Sequence, residues 1–258
     1  MRTEAFYLPV GAGFSPTPST TGPWSPEHQH GGPPCALLTG ALQRAVPPAF
    51  RLARVTANFL RAVPLAELRV ETHCIKAGRS TQRWRAVLHA DRPVLEMEGL
   101  FVRASDGMAD LDSTAGPEWA APESVAPFTF PFFQTEHGYH RAVDLRFWEQ
   151  PWGPPRVRVW ARPLQPLVAG WEDSPEQRVV LLTDAQSGMA PPLDPLRFNY
   201  ANPDLSLAFT RRPQGEWVGL DIQAQVGPEG IGLAHSRLRD LRGAVGVAEQ
   251  SLIVRARK

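Results

Sequence analysis

Hydrophobic and polar positions follow two different patterns along this chain, one typical of buried helices and one typical of strands. Each half of the chain contains both patterns. The segment from Cys35 to Val46 is mostly apolar, and the segment from Glu176 to Ser187 contains the apolar run Val179 to Leu182, which predicts two buried helices. The segment from Arg156 to Arg162 alternates polar with apolar side chains, which predicts a strand with one covered face. The pattern therefore predicts an α+β protein built from two helices and an antiparallel sheet.

Strand-like alternation recurs on both sides of each predicted helix. In each half the order is strand, helix and then four further strands, so the same plan occurs twice. The strands are predicted at residues 5–10, within 14–24, and at 54–60, 66–72, 82–88, 94–103, 139–148, 156–164, 205–210, 216–225, 232–240 and 245–255.

Short matching segments support a duplicated architecture. Residues 37–41 (LLTGA) match residues 181–185 (LLTDA), and Gly40 in the first copy stands where Asp184 stands in the second. A second matching pair closes the two halves, residues 98–104 (EGLFVRA) and residues 250–256 (QSLIVRA). We infer two related units, with the distinctive side chain kept only in the second.

The stretch from Asp106 to Pro131 has the composition of a loop or linker, and its length is unusual inside one compact domain. It marks the expected boundary between the units. The predicted division is an N-terminal unit at residues 1–105, a linker at residues 106–135 and a C-terminal unit at residues 136–258.

Composition and charge exclude several classes of function. A formal net charge of +1 gives no overall attraction for nucleic acid or for an anionic membrane surface. No apolar run approaches the roughly 20 residues of a membrane span, and the amino terminus has no signal-peptide pattern. Cys35 and Cys74 are too few and too far apart for a disulfide framework. We expect a cytoplasmic protein.

Asp184 is the main candidate for chemistry because it lies at the end of an apolar helical run. A carboxylate is costly to bury unless it is hydrogen-bonded or has a functional role. The alternative is a structural carboxylate that caps a turn or pairs with an arginine. His28 and His30 lack a neighbouring cysteine or acidic cluster, so we expect no metal site. The motifs of nucleophile elbows and nucleotide-binding loops are absent from the sequence.

The order of these segments resembles the acyl-CoA thioesterase II family and its actinobacterial-type relatives. The resemblance runs from the helix entry at His30-Gly31-Gly32, through residues 58–61 (NFLR), to Gln250. It implies a double hotdog, in which two tandem units each wrap a curved antiparallel sheet around a helix. It also implies an acyl-CoA substrate, no cofactor and a homodimer of double hotdogs.

In that family, a carboxylate on the second helix, a Thr or Ser hydroxyl and a Gln on the last strand hold a water against the thioester. Asp184 matches the carboxylate and Gln250 matches the glutamine. Asn202 stands at the hydroxyl position, with Ser206 further along, and an amide cannot relay a proton as a hydroxyl does. The alternatives are a solvent-facing strand residue for Gln250 and an ordinary turn residue for Asn202.

Two further groups are candidates for binding the substrate. His30, Gly31 and Gly32 precede the first helix, where backbone N–H groups favour a developing negative charge, although glycines also occur there simply to let the chain turn. Three arginines at or near strand ends are candidates for the phosphates of coenzyme A or, alternatively, are solvated strand ends: Arg61, Arg211 and Arg212.

The predicted function is hydrolysis of an acyl-CoA thioester to a free acid and coenzyme A. One alternative is a hotdog protein that binds acyl-CoA or an acyl carrier without hydrolysis. Another is a hotdog dehydratase, which needs a histidine paired with an acid. His30 precedes its helix and has no such partner in the nearby sequence.

Overall fold

Two helices pack side by side, and a long antiparallel sheet covers them. This arrangement is seen in a computed structural model that describes residues 5–22, 25–105, 118–130 and 135–257. In the first half, the hairpin of β1 (Tyr7–Val10) and β2 (Gly13–Pro16) precedes α1 (Gly32–Ala45). The strands that follow are β3 (Phe50–Phe59), β4 (Arg69–Ala77), β5 (Thr81–His89) and β6 (Pro93–Arg103).

The second half repeats this plan with additions. Two strands, β7 (Val143–Trp148) and β8 (Arg156–Pro163), precede α2 (Pro175–Thr183) and the short α3 (Gln186–Met189). The strands that follow are β9 (Phe198–Ala201), β10 (Asp204–Phe209), β11 (Val218–Val226), β12 (Ile231–Asp240) and β13 (Gly243–Ala256). Single turns of 3-10 helix occur at Pro18–Thr20, Pro122–Ser124 and Tyr139–Arg141.

One sheet of 11 strands joins the two halves within the described residues. Its order is β4-β5-β6-β3-β10-β13-β12-β11-β8-β7, with β9 paired to β13, and every pairing is antiparallel. The halves meet where β3 pairs with β10 and Thr56 lies opposite Ser206. This is the double-hotdog arrangement predicted from the sequence. β4 and β7 form the two ends of the strand order. The homodimer stays a prediction.

The two helices lie unusually close together and run in opposite directions. Near the start of α1, Gly32 faces Leu181 at the end of α2, whereas Gly40 faces Gln177 at the start of α2. A Cβ added at Gly32 would overlap the backbone carbonyl of Leu181, so the contact requires glycine at that position, whereas one added at Gly40 would displace the side-chain amide of Gln177. The antiparallel packing therefore brings the start of the first helix against the end of the second.

The second helix differs from the prediction, which joined Glu176 to Ser187 in one helix. α2 begins with a capping box between Ser174 and Gln177 and has Pro175 in its first turn. It ends at Thr183, with Asp184 as its C-cap, before α3 begins at Gln186. No glycine or proline marks this break, and its stabilising contact comes from Gln250 in a distant strand. The prediction also missed β9.

Part of the predicted linker packs onto the second half of the sheet. Phe128 forms a bridge with Leu145, and the indole N–H of Trp160 donates to the Ala120 carbonyl over 2.9 Å. Residues 106–117 and 131–134 of that linker lie outside the described residues. The division into units at residues 1–105, 106–135 and 136–258 stays a prediction.

The described helices are all too short or too polar to cross a membrane. The cytoplasmic location stays a prediction.

Asp240 is a buried carboxylate in the sheet, and its pairing with Arg211 can be tested. Both carboxylate oxygens accept hydrogen bonds of 2.6 Å from Arg211, and backbone N–H groups of Gln214 and Arg242 also donate to them. Burial raises the pKa of Asp240, but these hydrogen bonds outweigh burial and hold the pKa below its usual value.

We expect Asp240→Asn to lower the free energy of unfolding by about 3 kcal/mol at neutral pH, because it breaks a buried ion pair. The contribution of Asp240 is present above the usual pKa of an aspartate and is lost as the pH falls through its lowered folded pKa. Urea unfolding at several pH values measures this, with the exposed Glu98→Gln as a control worth less than about 1 kcal/mol. A pH-independent difference between parent and Asp240→Asn would contradict the assignment.

Candidate active site

Asp184 lies at the wall of a cavity with a volume of about 1000 Å³. The residue is only 5% exposed, and both of its carboxylate oxygens have partners. Oδ2 lies 3.0 Å from Nδ1 of His30, and Oδ1 accepts a 2.8 Å hydrogen bond from the side-chain amide of Asn202. Three segments that are distant in sequence therefore converge on one buried carboxylate.

His30 is held in place by its neighbours on two sides. Its ring stacks on Tyr139 with centroids 3.8 Å apart and planes inclined by 5°. The Tyr139 hydroxyl donates to the Leu181 carbonyl at the end of α2. Nδ1 of His30 lies near both Asp184 and the backbone nitrogen of Gly32, 3.1 Å away. A protonated Nδ1 donates to Asp184, whereas an unprotonated Nδ1 accepts from Gly32.

The start of α1 approaches the carboxylate closely. A Cβ added at Gly31 would lie 2.8 and 2.9 Å from the two oxygens of Asp184 and 2.5 Å from Cζ of Phe59. The partial positive charge at the amino end of a helix favours a negative charge there. The structure thus brings the predicted group of His30, Gly31 and Gly32 against Asp184. The sequence had not identified Asp184 as the acidic partner of His30.

Asn202 lies in the turn between β9 and β10, so the turn alternative and a contact with Asp184 both hold. Its side-chain amide donates to Asp184 and, over 3.2 Å, to the backbone carbonyl of Asp204. Ser206, the hydroxyl residue further along, instead donates to Thr56 in the neighbouring strand. Asn202 is therefore the one of the two that reaches the carboxylate.

The side chain of Gln250 contacts the backbone of Asp184 and not its carboxylate. It is 1% exposed, which excludes the solvent-facing alternative. Its side-chain N–H donates to the Asp184 carbonyl over 3.3 Å, and its side-chain oxygen accepts from the Ser187 N–H over 3.2 Å. These bonds satisfy backbone groups left by the break between α2 and α3. Gln250 is not among the residues that line the cavity.

The three predicted arginines separate into two locations. Arg61 lines the cavity beside Asp184. Arg211 is bonded to Asp240, and Arg212 lies 3.8 Å from Glu176 near the start of α2, at the opposite end of the helix pair. Arg257 also lines the cavity. Sequence reasoning missed Arg257 because it follows the last predicted strand and belongs to no motif.

Two other titratable groups close to Asp184 are kept neutral. Burial raises the pKa of the Tyr139 hydroxyl well above its ordinary value, and the charge of Asp184 raises it further. Burial and the same charge also raise the pKa of the Cys35 thiol. A thiolate nucleophile at Cys35 is thus disfavoured.

The first copy of the repeated segment, which has Gly40 in place of Asp184, lies at the opposite end of the helix pair. Thr39 and Thr183 each donate to the carbonyl four residues earlier, so the two copies share their local geometry. At the next position, however, the side-chain amide of Gln177 occupies the space beside Gly40 and donates to the Ala36 carbonyl. The first copy has no carboxylate and fills its space with an uncharged amide.

No cluster of three or more metal-ligating side chains occurs in the part of the chain that the structure describes. His28, the other histidine of the loop before α1, contacts the Ser25 hydroxyl over 3.0 Å.

Two family models match the chain. A model described as the acyl-CoA thioesterase N-terminal domain matches residues 20–104, and a model described as the acyl-CoA thioesterase C-terminal domain matches residues 122–254. No curated protein matches the chain.

Solved structures with low sequence identity share the fold. The tesB protein of Mycobacterium avium subsp. paratuberculosis is 20% identical with a TM-score of 0.69, over 96% of each chain. Acyl-CoA thioesterase II TesB2 of Mycobacterium marinum is 19% identical with a TM-score of 0.67, over 88% of this chain and 90% of that one. A hot dog protein of unknown function from Alicyclobacillus acidocaldarius is 13% identical with a TM-score of 0.70, over 91% and 89%.

The close approach of Gly31 to Asp184 can be tested by adding one methyl group. We expect Gly31→Ala to lower the free energy of unfolding by about 1–3 kcal/mol, because the new Cβ displaces Phe59 or the carboxylate. Gly31 has φ −68°, so the change introduces no backbone strain. Gly188→Ala is the matched control, since its Cβ would meet no atom within 4 Å. Equal unfolding free energies for the two variants in urea would contradict the packing.

Proposed function

This chain belongs to the acyl-CoA thioesterase family, and we propose that it hydrolyses an acyl-CoA thioester to a free acid and coenzyme A. The observation that carries the proposal is the buried carboxylate of Asp184, held at the cavity wall between His30 and Asn202. A carboxylate fixed in this way is suited to accept a proton from a water molecule that attacks the thioester.

The proposed reaction begins with that water. Its oxygen bonds to the thioester carbon while Asp184 accepts one of its protons. The tetrahedral intermediate then breaks its carbon–sulfur bond, and His30 returns a proton to the departing sulfur. Nδ1 of His30 takes the proton from Asp184 across their 3.0 Å contact as Nε2 releases its proton to the sulfur, so the pair ends with the number of protons it had at the start. No cofactor enters these steps.

Negative charge develops on the carbonyl oxygen during the attack. The backbone N–H of Gly31 is the donor proposed to face it, because the Gly32 N–H lies 3.1 Å from Nδ1 of His30 and the next two residues, Pro33 and Pro34, have no N–H. Support comes from the closeness of Gly31 to Asp184, since a Cβ added at Gly31 would lie 2.8 Å from one of the carboxylate oxygens. A helix amino terminus stabilises such an anion through its N–H groups and its dipole.

Asn202 and Gln250 are proposed to position the carboxylate. The side-chain N–H of Asn202 donates to Oδ1 of Asp184, which fixes the rotation of the carboxylate and leaves Oδ2 on the side of His30. An amide supplies this hydrogen bond without acting as a proton relay. Gln250 supports the backbone behind the same residue.

Coenzyme A carries phosphates, which arginine binds through paired N–H donors. Arg61 and Arg257 line the cavity and are exposed, so we assign them to the phosphate end of the substrate. Arg211 and Arg212 do not line it.

A second candidate function is favoured by the pairing of His30 with Asp184. Elimination of water from a 3-hydroxyacyl thioester requires a histidine that is paired with an acid. The contact supplies this acidic partner, which the sequence did not reveal. In this reaction the imidazole takes a proton from the α-carbon and the carboxyl group gives a proton to the departing hydroxyl. A carbon–carbon double bond forms and water leaves. Binding of acyl-CoA without reaction is the third possibility.

The deciding experiment measures thiol release from a panel of acyl-CoAs by the parent and by Asp184→Asn. We expect release by the parent and a loss of about 10²–10⁴-fold in the variant, because the amide cannot accept the proton. Asp221→Asn is the matched control, since that carboxylate pairs with Arg158 and does not line the cavity. The same reactions, run with 3-hydroxyacyl- and 2-enoyl-CoAs, report hydration or dehydration through the absorbance of the conjugated thioester.

Each outcome selects one function. Thiol release that depends on Asp184 establishes the thioesterase. Enoyl absorbance that changes without thiol release establishes the dehydratase. A parent that binds acyl-CoA and changes neither signal is a binding protein, and the proposal of hydrolysis fails.

The positioning role of Gln250 gives a separate prediction. Gln250→Met keeps the volume of the side chain but leaves the Asp184 carbonyl and the Ser187 N–H without their partner, which costs about 1–3 kcal/mol of stability. We expect a lower kcat with little change in KM, and faster hydrogen exchange at the Ser187 amide. In the background of Asp184→Asn, the same change should cause no further loss of turnover, because it acts through Asp184. Losses that multiply in the double variant would instead indicate direct contact with the attacking water.

A further inference from the structure

The cavity beside Asp184 has two chemically different ends. One end includes Arg61, which follows β3, and Arg257, which follows β13, and both side chains are exposed. The other end lies under the edge strand β7, and three strands separate β7 from β13 in the sheet. Its lining includes the apolar and aromatic side chains of Phe130, Val143, Leu145 and Trp152. A charged coenzyme matches the first end, and a hydrocarbon matches the second.

Trp152 forms the outer wall of the apolar end. Its indole N–H donates to the Gly188 carbonyl in α3 over 2.8 Å. Its ring packs edge-on against Phe130, with ring centroids 5.8 Å apart. The ring centroid of Phe128 lies 6.5 Å from that of Trp152. The side chain is partly exposed, and the next residue, Gly153, is exposed while also lining the cavity. Trp152 therefore stands between the cavity and the solvent.

The chain must turn sharply to bring Trp152 into this position. Glu149, the first residue after β7, has φ +68°, which is uncommon for any residue other than glycine. Its carboxylate pairs with Arg158 of β8 over 3.0 Å, which offsets part of the cost of that conformation. Unfavourable backbone of this kind persists where surrounding contacts hold it, and it is concentrated at functional sites.

We propose that Trp152 closes the acyl-binding compartment and sets the longest acyl group that the protein accepts. The inference rests on the proposed function, since it takes an acyl-CoA as the substrate. The indole N–H of Trp152 is bonded directly to the Gly188 carbonyl, so these two residues lie side by side in the wall. A Cβ added at Gly188 would meet no atom within 4 Å, so the space next to the indole is open.

The test compares chain-length profiles from butanoyl- to hexadecanoyl-CoA. In Trp152→Ala the wall is removed, so long chains can extend outward, and we expect the ratio of long-chain to short-chain kcat/KM to rise about tenfold or more. Trp152→Phe keeps an aromatic wall without the hydrogen bond and should retain the profile of the parent. Gly188→Val should shift the preference towards shorter chains. Trp148→Ala is the control, because Trp148 packs on Trp119 and does not line the cavity.

Binding measurements keep this inference separate from the proposed function. Dissociation constants for thioether analogues of acyl-CoA, which cannot be hydrolysed, give a length profile even for a protein without turnover. A shift towards longer analogues in Trp152→Ala supports the proposal, whether or not the parent releases thiol. An unchanged profile in a Trp152→Ala protein that unfolds at the same urea concentration as Trp148→Ala would overturn it.

Discussion

The close antiparallel packing of α1 against α2 is the constraint on which the rest of the structure depends. Glycine at position 32 allows the start of α1 to lie against the Leu181 carbonyl of α2, Gly40 leaves room for the Gln177 amide at the other end, and these two contacts set the register. Once the register is set, the start of α1 meets the end of α2. The sheet must then cover both helices together, which it does by joining the two halves between β3 and β10. The position of His30 beside Asp184 is a consequence of helix packing.

The same packing produces two helix-end junctions, and the chain treats them differently. At one junction the amino end of α1 faces the carboxylate of Asp184 beside a large cavity. At the other, the amino end of α2 faces Gly40, and the Gln177 amide fills the space. The two junctions therefore differ in the side chain that faces the glycine, which is a carboxylate beside Gly31 and an uncharged amide beside Gly40. The duplication supplied two equivalent positions, and side-chain chemistry distinguishes them.

Much of the fold could be predicted from the sequence because alternation and apolar runs report burial directly. The strand β8 and both helices were identified in this way, as was the special position of Asp184 relative to Gly40. The break after Asp184 was missed because its cause is Gln250, far away in the sequence, and local residues do not encode it. The short strand β9 was missed because it has only four residues and pairs with β13 alone. The His30 contact required the helix register, which periodicity does not provide.

Burial of Asp184 and its proposed use in catalysis have the same physical origin. A carboxylate at 5% exposure is tolerated only because Asn202, His30 and the start of α1 offset its lost hydration. Those partners also fix the direction of both oxygens, so little reorganisation is needed when a proton moves. Gln250 completes the arrangement from behind, because it satisfies the backbone carbonyl that a broken helix would otherwise leave unpaired. The contacts that make the buried charge stable are therefore the same ones that orient it in the proposed reaction.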